Sequence, residues 1–373
     1  MCLSLLARCS FVVAAAAYGI AFAGPDPSRM QAIAACVEAA AARSEFSGVV
    51  RVSNGDAVVE RAFGTADANG TVPVTPRTVF NTGSAGKMIT ALAIAKLVDR
   101  GAVLLDAQIS DYLRDLPPSA VRITIAQLLN HTSGLGNYFV PQNRAAIEAA
   151  RTAADLLPLA LAAPPEFAPG TQRAYSNSGF VVLGAIIEKV SGQAYASFVE
   201  DEILKPLQMF DTRFDGAGSA QAMTRMSPNG RLPGPVRARL GQERASPAGG
   251  MFSTASDMAR LLTSIERASL VSRRTLDLFT TPRADPSGKP GIYGYGFNVR
   301  QAPHRRVGHG GGGPGVNAEV ALYPDSDWNV VALSNGDPPA ASWIVDVLDD
   351  VLDAPDPGES CRTQVERGVG RSH

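Results

Sequence analysis

Ser84 and Lys87 stand three residues apart at the head of an apolar stretch, Met88, Ile89, Leu92, Ile94, Leu97 and Val98, that runs to Gly101. The apolar positions wrap most of a helical circumference, so the spacing predicts a buried helix over about 84–100 that stops at Gly101. Ser84 then lies in the first turn, where free backbone N–H groups and the positive dipole end favour a developing anion. Lys87 shares its face one turn on. Burial disfavours an ammonium and lowers its pKa, and an uncharged amine beside a serine can take its proton. Such a pair suits acyl transfer from an ester or amide. A capping serine and a lysine snorkelling from a helix end would look the same in isolation. Lysine is scarce, occurring only at Lys87, Lys96, Lys189, Lys205 and Lys289, which singles this one out.

Three other stretches carry candidate chemistry. Tyr175-Ser176-Asn177 occupies a polar loop before an apolar helix ending at Gly192. Its phenol can relay a proton and its amide can hold a substrate, or the segment is merely a turn. His309 is followed by glycines from Gly310 to Gly313. Such a run allows close approach to a strand edge and outward-pointing N–H groups, or forms a flexible loop or anion nest. The stretch ITIAQLLNHTSGLGNY places His131 at a helix end before a glycine turn, which by itself says little more.

Rival chemistries lack their residues. An α/β-hydrolase elbow needs G-x-S-x-G, and threonine stands where its first glycine belongs in Thr82-Gly83-Ser84-Ala85-Gly86. The histidines are His131, His304, His309 and His373, with no H-E-x-x-H and no Cys/His pairing for a metallohydrolase. A formal net charge of -1 gives no electrostatic case for nucleic acid or an anionic membrane.

The elements that must position these groups come from both ends of the chain. A helix is predicted at 28–43, a hairpin around Ser53-Asn54-Gly55-Asp56, a second strand pair at 318–323 and 328–334 around Pro324-Asp325-Ser326-Asp327, and a closing helix in AASWIVDVLDDVLD. The economical architecture is α/β in the α+β sense: a mixed, mainly antiparallel sheet from about 28–80 and 290–353, flanked by helices, with a helical region inserted over about 90–290. Residues 215–249 read as a long loop and 354–373 as a disordered tail. Arg8, the apolar run FVVAAAAYGIAFA and Ala21-Phe22-Ala23 resemble a cleavable signal peptide over 1–23, with no integral membrane span after cleavage. Export to the periplasm or beyond would leave Cys36 and Cys361, either bridged or as two thiols.

Taken together, Ser84-x-x-Lys87, Tyr175-x-Asn177 and His309-Gly310-Gly311 resemble, in order and spacing, the serine β-lactamase and penicillin-binding-protein-like hydrolases. The likeness is greatest to the branch holding class C β-lactamases, D,D-peptidases, D-aminopeptidases and esterases. It extends over about residues 44–350, through VTPRTVFNTGSAGKMITALAIAKLVDRGAVLLD, ITIAQLLNHTSGL, YSNSGFVVLGAIIEKVSGQAYASFVEDEILKPLQM, SPAGGMFSTASDMARLL and YGYGF. The resemblance implies a β-lactamase/transpeptidase-like fold over 24–353 and an acyl-enzyme on Ser84. It implies proton transfers shared by Lys87 and Tyr175, and substrate contacts from Asn177, His309, Gly310 and Gly311. The oxyanion hole would be the backbone N–H groups of Ser84 and Gly312. It implies no cofactor, and a small-molecule or short-peptide substrate as the partner; oligomeric state is left open.

The departure from the family pattern is at His309. Penicillin-hydrolysing members carry Lys-Thr/Ser-Gly there, and that lysine attracts a substrate carboxylate. A histidine is largely neutral near pH 7, and Gly310 lacks the hydroxyl. The resemblance therefore points to an exported serine hydrolase of the D-aminopeptidase or amidase, carboxylesterase or D,D-peptidase type. A β-lactamase proper and a non-catalytic binder of peptidoglycan fragments are the alternatives.

Overall fold

The β-branched runs on either side of Gly55-Asp56 pair antiparallel as β1 (Gly48–Asn54) and β2 (Ala57–Phe63), with Asn54 opposite Ala57. Gly55 takes φ +55°, so the two-residue turn is Gly55-Asp56, one position later than an Asn54-Gly55 turn. In this computed structural model the described residues are 25–67, 69–217, 219–220 and 245–368. The signal-peptide reading of 1–23 lies outside them, as do residues 221–244 of the expected long loop.

The later strands are β3 (Phe80–Asn81), β4 (Phe252–Ser253), β5 (Asn298–Arg300), β6 (Arg306–Gly313), β7 (Val316–Tyr323) and β8 (Trp328–Ser334). The chain's first strand pairs with its last: β1 lies against β8 with Val50 opposite Ala332. The sheet order is β2-β1-β8-β7-β6-β5, and every neighbouring pair is antiparallel. β3 and β4 form a separate two-stranded ribbon, Phe80 opposite Ser253.

Both faces of the large sheet are covered, which is why β7 and β8 are buried along almost their whole length. On one face Val50, Val52 and Ala332 pack with Ile33 and Val37 of the Pro27–Ser44 helix and Trp343 and Ile344 of the Ala340–Asp349 helix. On the other face Val49, Val331 and Leu333 join the larger core under the inserted helices, with Met88, Leu92, Leu128, Phe180 and Leu262. Among the described residues no helix is long and apolar enough to cross a membrane.

Over 354–368 the expectation of a disordered tail is corrected, and 369–373 lie outside the described residues. Pro357–Arg367 is a helix, begun by Asp356, whose carboxylate accepts from Glu359 N–H at 2.9 Å. Its Cys361 is disulfide-bonded to Cys36 on the Pro27–Ser44 helix, Cα atoms 5.7 Å apart. Cys361 is the one residue this helix buries. The segment thus has almost no apolar face to signal its presence, and a covalent tie holds it where hydrophobic burial is small.

Candidate active site

Ser84 is presented by a short turn clamped from two sides. Thr82 N–H and its hydroxyl both donate to Met251 O at 2.8 Å, continuing the β3–β4 ribbon, and Gly250 N–H donates to Gly83 O at 2.8 Å. Gly83–Gly86 is a 3-10 turn that passes directly into the Lys87–Asp99 helix. The predicted helix therefore starts with one tighter turn, and Ser84 sits in it. Gly101 follows the helix at φ +69°, as a C′ glycine does.

Lys87 is completely buried, as a helix apolar nearly all round requires. Its Nζ donates to Asn177 Oδ1 at 2.7 Å and to the backbone carbonyl of Ala248, and lies 3.4 Å from Ser84 Oγ. Burial drives its pKa well below the ordinary lysine value. An uncharged amine has two N–H bonds and one lone pair. In that uncharged form the two carbonyl-type acceptors occupy the N–H bonds, and the lone pair is the part left to face the Ser84 hydroxyl.

Tyr175 and Asn177 arrive from the far side of the inserted region. Ser176 caps the Asn177–Ser191 helix by accepting from Gly179 N–H at 3.2 Å, which seats Asn177 in its first turn. Tyr175 is half-exposed, its ring centre lies 4.7 Å from Lys87 Nζ, and loss of solvent pushes the phenol pKa up to about 12. It is therefore a proton donor at neutral pH. Because Asn177 Oδ1 faces Lys87, the NH2 end of that amide is the one available to a substrate carbonyl.

His131 explains how the tyrosine loop is held. With φ +63° it turns the chain so that Nδ1 accepts from Ser176 N–H at 3.2 Å and its carbonyl accepts from Ala174 N–H at 3.1 Å. Its ring lies 4.4 Å from the Tyr175 ring and 4.7 Å from that of Tyr293. Burial first, and the nearby Lys87 second, hold its pKa well below the usual histidine value. The sequence offered His131 only as a helix end, since its partners lie more than forty residues on.

The glycine strand β6 passes directly behind the nucleophile. A Cβ at Gly311 would sit 2.1 Å from Thr82 O and 2.9 Å from Ser84 N, so only glycine lets the two segments touch. Gly312 is beside the same turn, its nitrogen 3.2 Å from where a Gly83 Cβ would stand. Ser84 and Gly312, the expected oxyanion pair, both line the same cavity.

His309 does not reach that cavity, which corrects its reading as a substrate contact. It is 3% exposed, Nδ1 bonds to Gly310 O at 2.6 Å, and Nε2 to the Tyr293 hydroxyl at 2.9 Å. Burial first, then the neighbouring Lys87, push its pKa down to about 3, so the imidazole is neutral with both nitrogens engaged. Gly310 and Gly311 likewise lie behind the wall, and Gly312 and Gly313 line it instead.

The cavity in front of Ser84 measures about 560 Å³. Tyr138, Phe139, Val140, Pro141, Ile147, Pro314 and Val316 give it a largely apolar wall, with Arg144 and Glu148 paired at 2.8 Å on one side. Among the described residues no group of three or more His, Cys, Asp or Glu side chains is placed to hold a metal ion.

With this geometry in place, the comparison with known proteins is direct. The beta-lactamase family model matches residues 33–352. The chain belongs to the beta-lactamase family. Members of this family are serine hydrolases acting on amide or ester bonds. A penicillin-binding protein of Bacillus subtilis (strain 168) is 28% identical over 313 residues, covering 79% of this chain and 69% of its own length. Esterase EstB of Burkholderia gladioli is 31% identical over 265 residues, covering 67% of this chain and 62% of its own length. The crystal structure of a penicillin-binding protein from Bacillus halodurans superposes with a TM-score of 0.75 at 26% identity, covering 84% of this chain and 99% of that one.

Proposed function

We propose that this protein is an exported hydrolase that cleaves neutral amides or esters through an acyl-enzyme on Ser84. The observation that carries the reading is Lys87, a buried amine whose N–H bonds are occupied by Asn177 and Ala248 and whose third hydrogen-bond partner is Ser84 Oγ. In the acylation step the Ser84 proton passes to Lys87 Nζ as Oγ bonds to the substrate carbonyl carbon. The resulting oxyanion is met by the backbone N–H groups of Ser84 and Gly312. Tyr175 gives its proton to the leaving alcohol or amine, the carbon–heteroatom bond breaks, and the proton held by Lys87 returns to the tyrosine oxygen. Water repeats the sequence on the acyl-enzyme and releases the acid.

The apolar wall and the neutral, sequestered His309 favour substrates without a carboxylate over penicillins. The esterase among the relatives agrees with that preference. The Cys36–Cys361 disulfide supports export, since such bonds persist in oxidising compartments.

A fluorophosphonate probe tests the assignment. It should label wild-type protein at Ser84 and leave Ser84→Ala unlabelled. A panel of short-chain esters, D-amino-acid amides, D-Ala-D-Ala peptides and a chromogenic cephalosporin should show the neutral esters or amides turned over fastest. Absence of labelling would favour the non-catalytic binding alternative.

A further inference from the structure

We infer that Asn317 is a positioning residue for the oxyanion pocket: its side-chain amide sets the orientation of the Gly311–Gly312 peptide so that the Gly312 N–H faces Ser84. The inference rests on the reading of Ser84 as the nucleophile.

Asn317 lies on β7 directly opposite Gly312 and is 3% exposed. A buried amide among Val316, Ala318 and Val320 is costly unless its polar ends are satisfied. Both ends are. Oδ1 accepts from Ala341 N–H at 2.7 Å, and Nδ2 donates to Gly311 O at 3.2 Å, with Ser342 Oγ at 3.5 Å. Ala341 is in the first turn of the Ala340–Asp349 helix, whose capping residue Pro339 has no side chain to offer its free N–H groups. Asn317 supplies that acceptor from the neighbouring strand. Because Oδ1 is committed to a donor, the amide cannot flip, and its NH2 end must face Gly311.

The consequence lies on the other side of the same peptide. The Gly311–Gly312 bond is trans, so the Gly311 carbonyl and the Gly312 N–H point in opposite directions. Anchoring the carbonyl on the β7 side directs the N–H to the edge where Gly83 and Ser84 approach. The run from Gly310 to Gly313 has no side chains of its own to restrict φ and ψ, and glycine is the least restrained residue. Pairing with β7 aligns the run, the Asn317 amide adds a side-chain anchor on this one peptide, and an oxyanion donor is effective only when already aimed at the developing charge.

The test compares Asn317→Asp and Asn317→Ala in the full-length protein. Asn317→Asp keeps an oxygen for Ala341 N–H but replaces the donor to Gly311 O, whereas Asn317→Ala removes both. Folding is read by thermal melting, acylation by pre-steady-state release from a p-nitrophenyl ester, and oxyanion binding by the affinity of a boronic acid. Asn317→Asp should acylate at least about tenfold more slowly, with boronate affinity falling in parallel and substrate binding unchanged, because a misaimed oxyanion donor is felt in the transition state. Its rate relative to wild type should climb as the pH falls, since a protonated aspartic acid regains a donor for Gly311 O. A folded Asn317→Asp that acylates like wild type overturns the inference, as does a loss confined to Asn317→Ala that tracks its melting point. Wild-type protein that is never labelled at Ser84 overturns the nucleophile assignment itself, so the two failures are distinct.

Discussion

The Tyr293 hydroxyl stands 2.9 Å from His309 Nε2, and the pair is sealed behind the wall of the cavity. The position expected to contact substrate here holds a neutral ring with no free nitrogen.

Restoring a lysine at this position should therefore fail as a gain of function. His309→Lys would bury a second amine beside Lys87 and strand the Tyr293 hydroxyl. Turnover of esters and of carboxylate-bearing substrates should fall together. A selective rise on the carboxylate-bearing substrates would show that this side chain reaches the cavity after all.

Lys87→Ala and Tyr175→Phe should each lower kcat/KM by at least about a hundredfold, the usual scale of general acid–base groups. In wild type, kcat/KM should rise with pH as Lys87 loses its proton, and Tyr175, pushed up to about 12, should add no alkaline limb in the neutral range. Near-normal activity in either variant removes that residue from the mechanism.

Burial of Lys87 also has a stability signature. Its folded pKa is depressed, so below the ordinary lysine value of about 10.4 the unfolded chain binds a proton that the native state does not. That cost is present at neutral pH and fades as the pH climbs toward about 10.4. The melting temperature of Lys87→Met minus that of wild type should accordingly shrink on going from pH 7 to pH 9. A difference independent of pH would mean that the lysine stays charged when folded.

Reduction of Cys36–Cys361 should lower stability by about 2–5 kcal/mol, because the bridge closes almost the whole described chain. Acylation at Ser84 should be unaffected, since the bridge joins helices on the outer face of the sheet. Melting with and without reductant, alongside probe labelling, checks both halves. Equal melting points would show that the carboxy-terminal helix docks without its covalent tie.

Glu319 is buried under Gly310 beside a charged group of Arg300, Arg306, Asp346 and Asp349, and burial pushes its carboxyl up to about 7. A raised carboxyl contributes stability below its unfolded value of about 4.3, and that contribution is lost as the pH rises through the folded one. Glu319→Gln should therefore compare better with wild type at pH 8 than at pH 5, read as the difference in melting temperature. The opposite trend would mean that its pairing with Arg306 at 3.5 Å outweighs desolvation.

What could be read in the sequence was whatever neighbouring residues specify together. The Ser84–Lys87 pair, the strand runs around Gly55 and Asp325, and the helix that stops at Gly101 are patterns within a few turns of chain, where side-chain period and glycine conformation act locally. Long-range partners decided the rest. Lys87 finds its acceptors 90 and 161 residues away, and Cys36 its bridge 325 residues away. His309 begins a run of four glycines, which carry no side chains and so give no alternation from which its facing could be inferred. Whether that ring met a substrate or Tyr293, and whether Asn317 would be left idle or brace a glycine peptide, depended on how separate strands and helices packed, because a side chain's facing, burial and proton affinity are set by the neighbours that folding brings to it.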